Sequence, residues 1–134
     1  MKKSIVAILL LTLVTTFTFG QVIDSAPLKG QNNSITLCDF QGDTITYRQF
    51  RICSDMLVSA GENQTVTSFT ITLLVLHPEG TDMGEYKVEG NILPEHIKEK
   101  IFSIMPEKIF IENVMIKDGD ESKKIGYRRY IFKD

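Results

Sequence analysis

The strongest regularity in the chain is the alternation over residues 67–76. Phe69, Ile71, Leu73 and Val75 share one parity, and Thr70, Thr72, Leu74 and Leu76 share the other. β-Branched and aromatic residues repeating every second position predict a strand, packed on both faces in its second half. The run His77-Pro78-Glu79-Gly80 ends it, because proline has no amide hydrogen to give a ladder. A loop is expected from there to Gly84, then a short strand over 86–88, stopped by Gly90. Two further strands follow later in the chain. One spans 109–116, with Ile109, Ile111 and Met115 opposed to Phe110, Val114 and Ile116. The other spans 125–132, with Ile125, Tyr127, Arg129 and Ile131 opposed to Arg128, Tyr130 and Phe132. Lys117-Asp118-Gly119-Asp120 between them is a turn.

The earlier chain carries weaker signals. Residues 35–40 predict a first strand, Gly42-Asp43 a turn, and 45–52 an irregular second strand, with Ile45, Tyr47 and Gln49 on one face and Arg48, Phe50 and Ile52 on the other. Residues 56–59 predict a third short strand or a turn, and 60–64 a polar connection. The period changes at Pro94. Ile97, Ile101, Ile104 and Met105 fall at i, i+4, i+7 and i+8, which predicts one amphipathic helix over 94–105, with Pro106 as its stop. Its apolar face is expected to lie across an end of the β core. Many short strands, frequent turns and one helix predict a mostly β chain folded as a small β-sandwich.

The N-terminus reads as a secretory signal peptide over 1–20. Lys2 and Lys3 precede an apolar run from Ile5 to Val14 interrupted by Thr12, and Thr18-Phe19-Gly20 places small residues before a cut at Gly20/Gln21. The apolar run is shorter than the roughly 20 residues a spanning helix needs. A secreted or periplasmic location without a stable membrane anchor after cleavage is therefore expected. Residues 21–34, with Pro27, Gly30 and Gln31-Asn32-Asn33-Ser34, read as a mobile lead-in, and 35–134 as one domain.

Loss of the leader leaves 13 basic against 17 acidic residues, so no basic excess invites nucleic acid. Cys38 and Cys53 are an even pair in an oxidising compartment, which favours one disulfide; two buried free thiols are the alternative. Neither cysteines nor histidines have metal-ligand spacing, and no cofactor is expected. His77 precedes a proline at a strand end, and His96 lies in a helix's first turn. No Gly-x-Ser-x-Gly elbow or phosphate-binding glycine loop accompanies them. Lys123, Lys124, Tyr127, Arg128, Arg129 and Tyr130 make the last strand basic and tyrosine-bearing, a candidate contact surface.

Three stretches carry a family resemblance. Residues 51–69 run into Val66-Thr67-Ser68-Phe69. Residues 90–101 give glycine, leucine, then helix. Residues 109–119 contain Ile111-Glu112-Asn113-Val114 before Asp118-Gly119. Together they resemble the C-terminal domain of the gliding-motility and type IX secretion protein GldM, over about residues 35–132. Pro106-Glu107 departs from the Gly-Asp that related domains place between helix and strand. GldM-type proteins also carry a membrane helix and periplasmic domains before this module, so the resemblance is to the terminal domain alone. It implies an immunoglobulin-like β-sandwich with one short amphipathic α-helix, in the envelope of a Bacteroidetes-type bacterium. The expected function is that of an exported, non-catalytic interaction or assembly module. Its expected partner is another envelope protein or a second copy of the chain. The alternatives are a small secreted enzyme or enzyme inhibitor built on His77, Glu79 and Asp82, or a carbohydrate- or peptide-binding sandwich.

Overall fold

A computed structural model describes residues 30–53 and 55–134. The expected signal peptide, and the lead-in up to residue 29, lie outside them. The elements in chain order are β1 (Thr36–Leu37), β2 (Thr44–Thr46), α1 (Tyr47–Ile52), β3 (Val58–Ser59), β4 (Gln64–His77), β5 (Gly80–Glu89), α2 (Glu95–Ile104), β6 (Lys108–Asp118), β7 (Glu121–Lys124) and β8 (Arg128–Lys133). The fold is mostly β and sandwich-like. A six-stranded sheet runs in the order β2-β8-β6-β4-β5, with β7 paired to β6 off that path, and β1 and β3 form a separate two-stranded sheet.

The inner face of the large sheet carries Phe69, Ile71 and Leu73 from β4, Val88 from β5, Ile109, Ile111, Val114 and Ile116 from β6, and Tyr130 and Phe132 from β8, all buried. Ile35, Leu37, Met56 and Val58 from the small sheet and its flanks complete the core, together with Phe50 from α1 and Leu93, Ile97 and Ile101 from α2 and its approach. Two bulges in the β4–β6 ladder adjust which residues face inward. Between Val66↔Ile116 and Ser68↔Met115, β4 carries the extra residue Thr67. Between Ser68↔Met115 and Thr70↔Glu112, β6 carries the extra one, with Asn113 at φ 49°. The two cancel, so the register resumes after them. Each switches the parity of one strand, so Val66 and Phe69, three apart, are both buried, as are Ile111 and Val114.

The expected strand over 45–52 is corrected. Only Thr44–Thr46 is extended, and Tyr47–Ile52 is a second helix. A capping box starts it. The Thr46 hydroxyl accepts from the Gln49 amide at 3.1 Å, and the Gln49 side-chain oxygen accepts from the Thr46 amide at 2.9 Å. The helix buries Phe50, which lies 5.4 Å from both the Phe102 and Phe132 rings. Tyr47 stacks on Phe132 with centroids 4.4 Å apart.

The loop expected over 80–84 is strand. A two-residue turn at Pro78-Glu79 reverses β4 directly into β5, pairing His77 with Gly80 and continuing to Ser68↔Glu89. Helix α2 spans Glu95–Ile104 as its periodicity requires, and Met105 caps it in the left-handed conformation at φ 47°, with its amide bonded to the Ile101 carbonyl. That turn directs Met105 out of the apolar stripe to which Ile97 and Ile101 belong, and it is exposed.

The expected last strand over 125–132 is broken at Gly126. The Gly30 carbonyl approaches so closely that a side chain there could not be accommodated. That carbonyl accepts from the Tyr127 amide at 3.1 Å, and the Asn32 amide donates to Tyr127 at 2.7 Å. Gly30 and Asn32, at the end of the expected lead-in, are thus tied to the sheet.

Cys38 and Cys53 are bridged, with Cα atoms 6.2 Å apart. The bridge joins the residue after β1 to the C-cap of α1, and so holds α1 to the small sheet. Removing it, by reduction or as Cys38→Ala/Cys53→Ala, is expected to lower unfolding free energy by about 3 kcal/mol, the chain-entropy value for a loop of this length. Urea denaturation with and without reductant measures this; equal midpoints would show that packing alone fixes α1.

Candidate functional site

The six residues expected to form one contact surface do not come together as one. Lys123 and Lys124 are exposed on β7, opposite Ile116 and Met115. Tyr127 and Arg129 are half-buried on the outer face of the large sheet, with the Tyr127 ring 6.5 Å from Phe110. Arg128 and Tyr130 point the other way and are 1% and 0% exposed. Strand alternation explains the split, since Arg128, Tyr130 and Phe132 share the inward parity.

The two inward residues form a polar pin. The Arg128 guanidinium donates to Asn33 Oδ1 at 2.6 Å and to the carbonyls of Gln41 and Gly42 at 2.6 and 2.9 Å, and it lies 3.1 Å from Asp43 Oδ1. It stacks 5.1 Å from the Tyr130 ring centroid. The Tyr130 hydroxyl accepts from the Leu37 amide at 3.0 Å and donates to the Phe40 carbonyl at 2.8 Å. A buried charge survives only where its hydrogen-bonding groups are met, and Arg128 meets most of that need with backbone of the β1–β2 loop. Burial raises the pKa of the Tyr130 phenol. Burial also raises that of Tyr47, with the Asp134 and Glu107 carboxylates adding to the effect.

A groove of about 430 Å³ lies between the β4–β5 hairpin and the last turns of α2. Leu73, Val75 and Ile104 supply apolar lining, and Tyr86, Lys100, His77 and Asp82 supply polar groups. Gly84 helps to shape it. A Cβ there would stand 3.2 Å from the Tyr86 ring, so the ring lies across the position a side chain would fill. The His77 imidazole donates from Nε2 to Asp82 Oδ2 at 2.9 Å, with the two side chains 48% and 81% exposed. Glu79 sits exposed on the adjoining turn. Two of the three hairpin residues singled out in the sequence therefore meet, at the solvent margin of the groove. Lys100 and Tyr86 were missed; the signal was the Lys100/Ile104 spacing of one helical turn.

The third feature is the edge of β5. The Gly90 amide bonds to the Thr67 carbonyl, and the hairpin closes at His77↔Gly80. Both share the parity of Phe69↔Val88, Ile71↔Tyr86, Leu73↔Gly84 and Val75↔Asp82, so these are the hydrogen-bonded pairs. The amides and carbonyls of Thr81, Met83, Glu85, Lys87 and Glu89 therefore point outward along the free edge. Leu76 and Met83 stand beside them, 49% and 68% exposed. At the opposite edge, β2 is only three residues long and leads straight into α1.

Because the Tyr47 and Tyr130 phenols stay neutral in the fold where exposed phenols ionise, they cost nothing below pH about 10. Stability is expected to fall as pH rises above that value toward their raised folded values. Urea midpoints from neutral to alkaline pH should decline less steeply for Tyr47→Phe/Tyr130→Phe than for the unaltered chain, though from a lower neutral value; parallel declines would show that neither phenol governs the alkaline limit. In comparisons with known proteins, no family model, curated protein or solved structure matches the chain.

Proposed function

We propose that the chain is an exported, non-catalytic contact module that works by adding a partner's strand to the free edge of β5. The observation that carries this reading is the outward row of amides and carbonyls from Thr81 to Glu89 on a ten-residue strand that no other described residue pairs with on that side. Extended partners dock on such edges through main-chain hydrogen bonds, and side chains of alternate parity supply selectivity. Asp82, Glu85, Lys87 and Glu89 discourage arbitrary pairing and favour a strand of matching charge. The Cys38–Cys53 bridge supports an oxidising compartment, secreted or periplasmic. Among the described residues no helix is long and apolar enough to cross a membrane. The resemblance to the GldM terminal domain motivates an assembly role and another envelope protein as the partner class.

Proline at an outward-facing position removes an edge donor without breaking the β4–β5 ladder. Glu85→Pro and Lys87→Pro are thus expected to keep the circular dichroism spectrum. Both should lose the crosslink that a photoreactive residue at Met83 forms to a partner in envelope fractions. Undiminished crosslinking in both variants would refute the edge reading.

The groove favours a second reading, a carbohydrate- or peptide-binding site that uses Tyr86, Lys100 and the His77–Asp82 pair. Titration with short peptides and oligosaccharides separates the two. Amide shifts centred on Tyr86 and Lys100 that survive Lys87→Pro would favour the groove; shifts along Thr81–Glu89 that the proline abolishes would favour the edge.

A further inference from the structure

The charge order along β5 is complementary to itself in one register. A second copy adding antiparallel must set outward-facing residues opposite outward-facing residues and obey two-fold symmetry. The register is set by the residue on the axis, and with Met83 or Gly84 there no charge of β5 faces another. With Glu85 opposite itself, two carboxylates meet on the axis. With Lys87 opposite itself, two ammonium groups meet, and Glu85 falls opposite Glu89. With Glu85 opposite Lys87, the pairing occurs twice, Met83 faces Glu89, and every directly opposed charge on that face is of opposite sign or meets a neutral residue. Like charges directly opposite destabilise a strand pair and opposite charges support it.

The surroundings favour the same register. Glu85 shares an outer-face depression with Glu112, Asn113 and Lys124. The Glu112 carboxylate accepts from the Thr72 hydroxyl at 2.8 Å. The depression thus holds two carboxylates against one ammonium, and a lysine arriving opposite Glu85 supplies a second countercharge. On the other face Tyr86 sits at the axis, half-buried, facing its own counterpart.

We infer that the chain pairs with a second copy of itself through β5, antiparallel, with Glu85 opposite Lys87 of the second copy. This rests on the reading of β5 as the contact edge and names its occupant. The pairing joins the two large sheets into one and consumes both free edges, so the assembly closes at two copies.

Sedimentation velocity over a micromolar to near-millimolar series tests it. The unaltered chain should show a reversible monomer–dimer equilibrium. Glu85→Lys and Lys87→Glu are surface changes that should keep the fold by circular dichroism and weaken self-association by roughly tenfold or more each. An equimolar mixture of the two variants should dimerise again, since one offers only lysines and the other only glutamates at these positions. The double variant Glu85→Lys/Lys87→Glu should also self-associate. A monomeric unaltered chain, a dimer indifferent to either reversal, or a mixture that stays monomeric would each overturn the inference. Loss of the Met83 crosslink to another envelope protein in Lys87→Pro, with a chain that never dimerises, would sink self-pairing alone. A dimer intact in Lys87→Pro would place the self-contact away from β5 and overturn self-pairing through this edge; the edge reading itself falls only where the Met83 crosslink also survives the proline.

Discussion

The polar pin made by Arg128 and Tyr130 determines how the two layers meet. Tyr130 bridges the Leu37 amide and the Phe40 carbonyl with one hydroxyl, and Arg128 gathers the Gln41 and Gly42 carbonyls with the Asn33 side chain. Cys38 and Asp39, between those anchors, both take positive φ, 53° and 58°, which folds the chain sharply after β1. Such a turn leaves backbone groups facing inward, and burying them unpaired would cost more than a single bond contributes. The last strand supplies those partners. The segment that leads into β2 is thereby laid beside β8, where Thr44 pairs in parallel with Ile131.

From that constraint the asymmetry of the large sheet follows. Its β2 edge is short and runs at once into α1, held by the Thr46–Gln49 capping box and by Tyr47 stacked on Phe132. The disulfide secures the far end of the same helix. Among the described residues, the opposite edge has no such cover. Strand β5 is joined to β4 by a two-residue turn, so their pairing consumes one side of β5 and leaves the other open. A closed edge and an open edge on one sheet make a directional platform, and the proposed contacts follow from that geometry.

The bulges serve the same arrangement. Were the same residues to alternate regularly, with no bulge at Thr67 or Asn113, Val66 and Val114 would lie on the face opposite Phe69 and Ile111. The sheet would then expose two valines that now belong to the core. Because the insertions fall on opposite strands, the twist is adjusted locally and the pairing recovers by Thr70↔Glu112. Thr70 and Thr72, of the parity opposite to Phe69, Ile71 and Leu73, lie buried on the outer face, with Thr72 bonded to Glu112 and Asn113 reaching Thr70 at 3.4 Å.

Local pattern alone determined the mostly β class, strand β4, helix α2, and strand β6 with the turn at Asp118-Gly119, though not the short strand β7 that follows it. These have strong periods or strong stops, and neither depends on distant partners. The parity of β8 was legible too, since Phe132 shares it with Arg128 and Tyr130. That an arginine should be buried was not, because its partners are loop carbonyls 87 and 86 residues away in the chain. Helix α1 had its signature in Thr46 and Gln49, yet Ile45, Tyr47, Phe50 and Ile52 also fit an irregular strand, and the packing of Phe50 against Phe102 and Phe132 decided between them. Residues 80–84 lack apolar alternation because they form an edge. The hydrogen bonds that make them a strand come from β4, and only the tertiary structure could supply them. The groove and the open edge were hidden for the same reason, since both arise where separate elements meet, and no local period records that meeting.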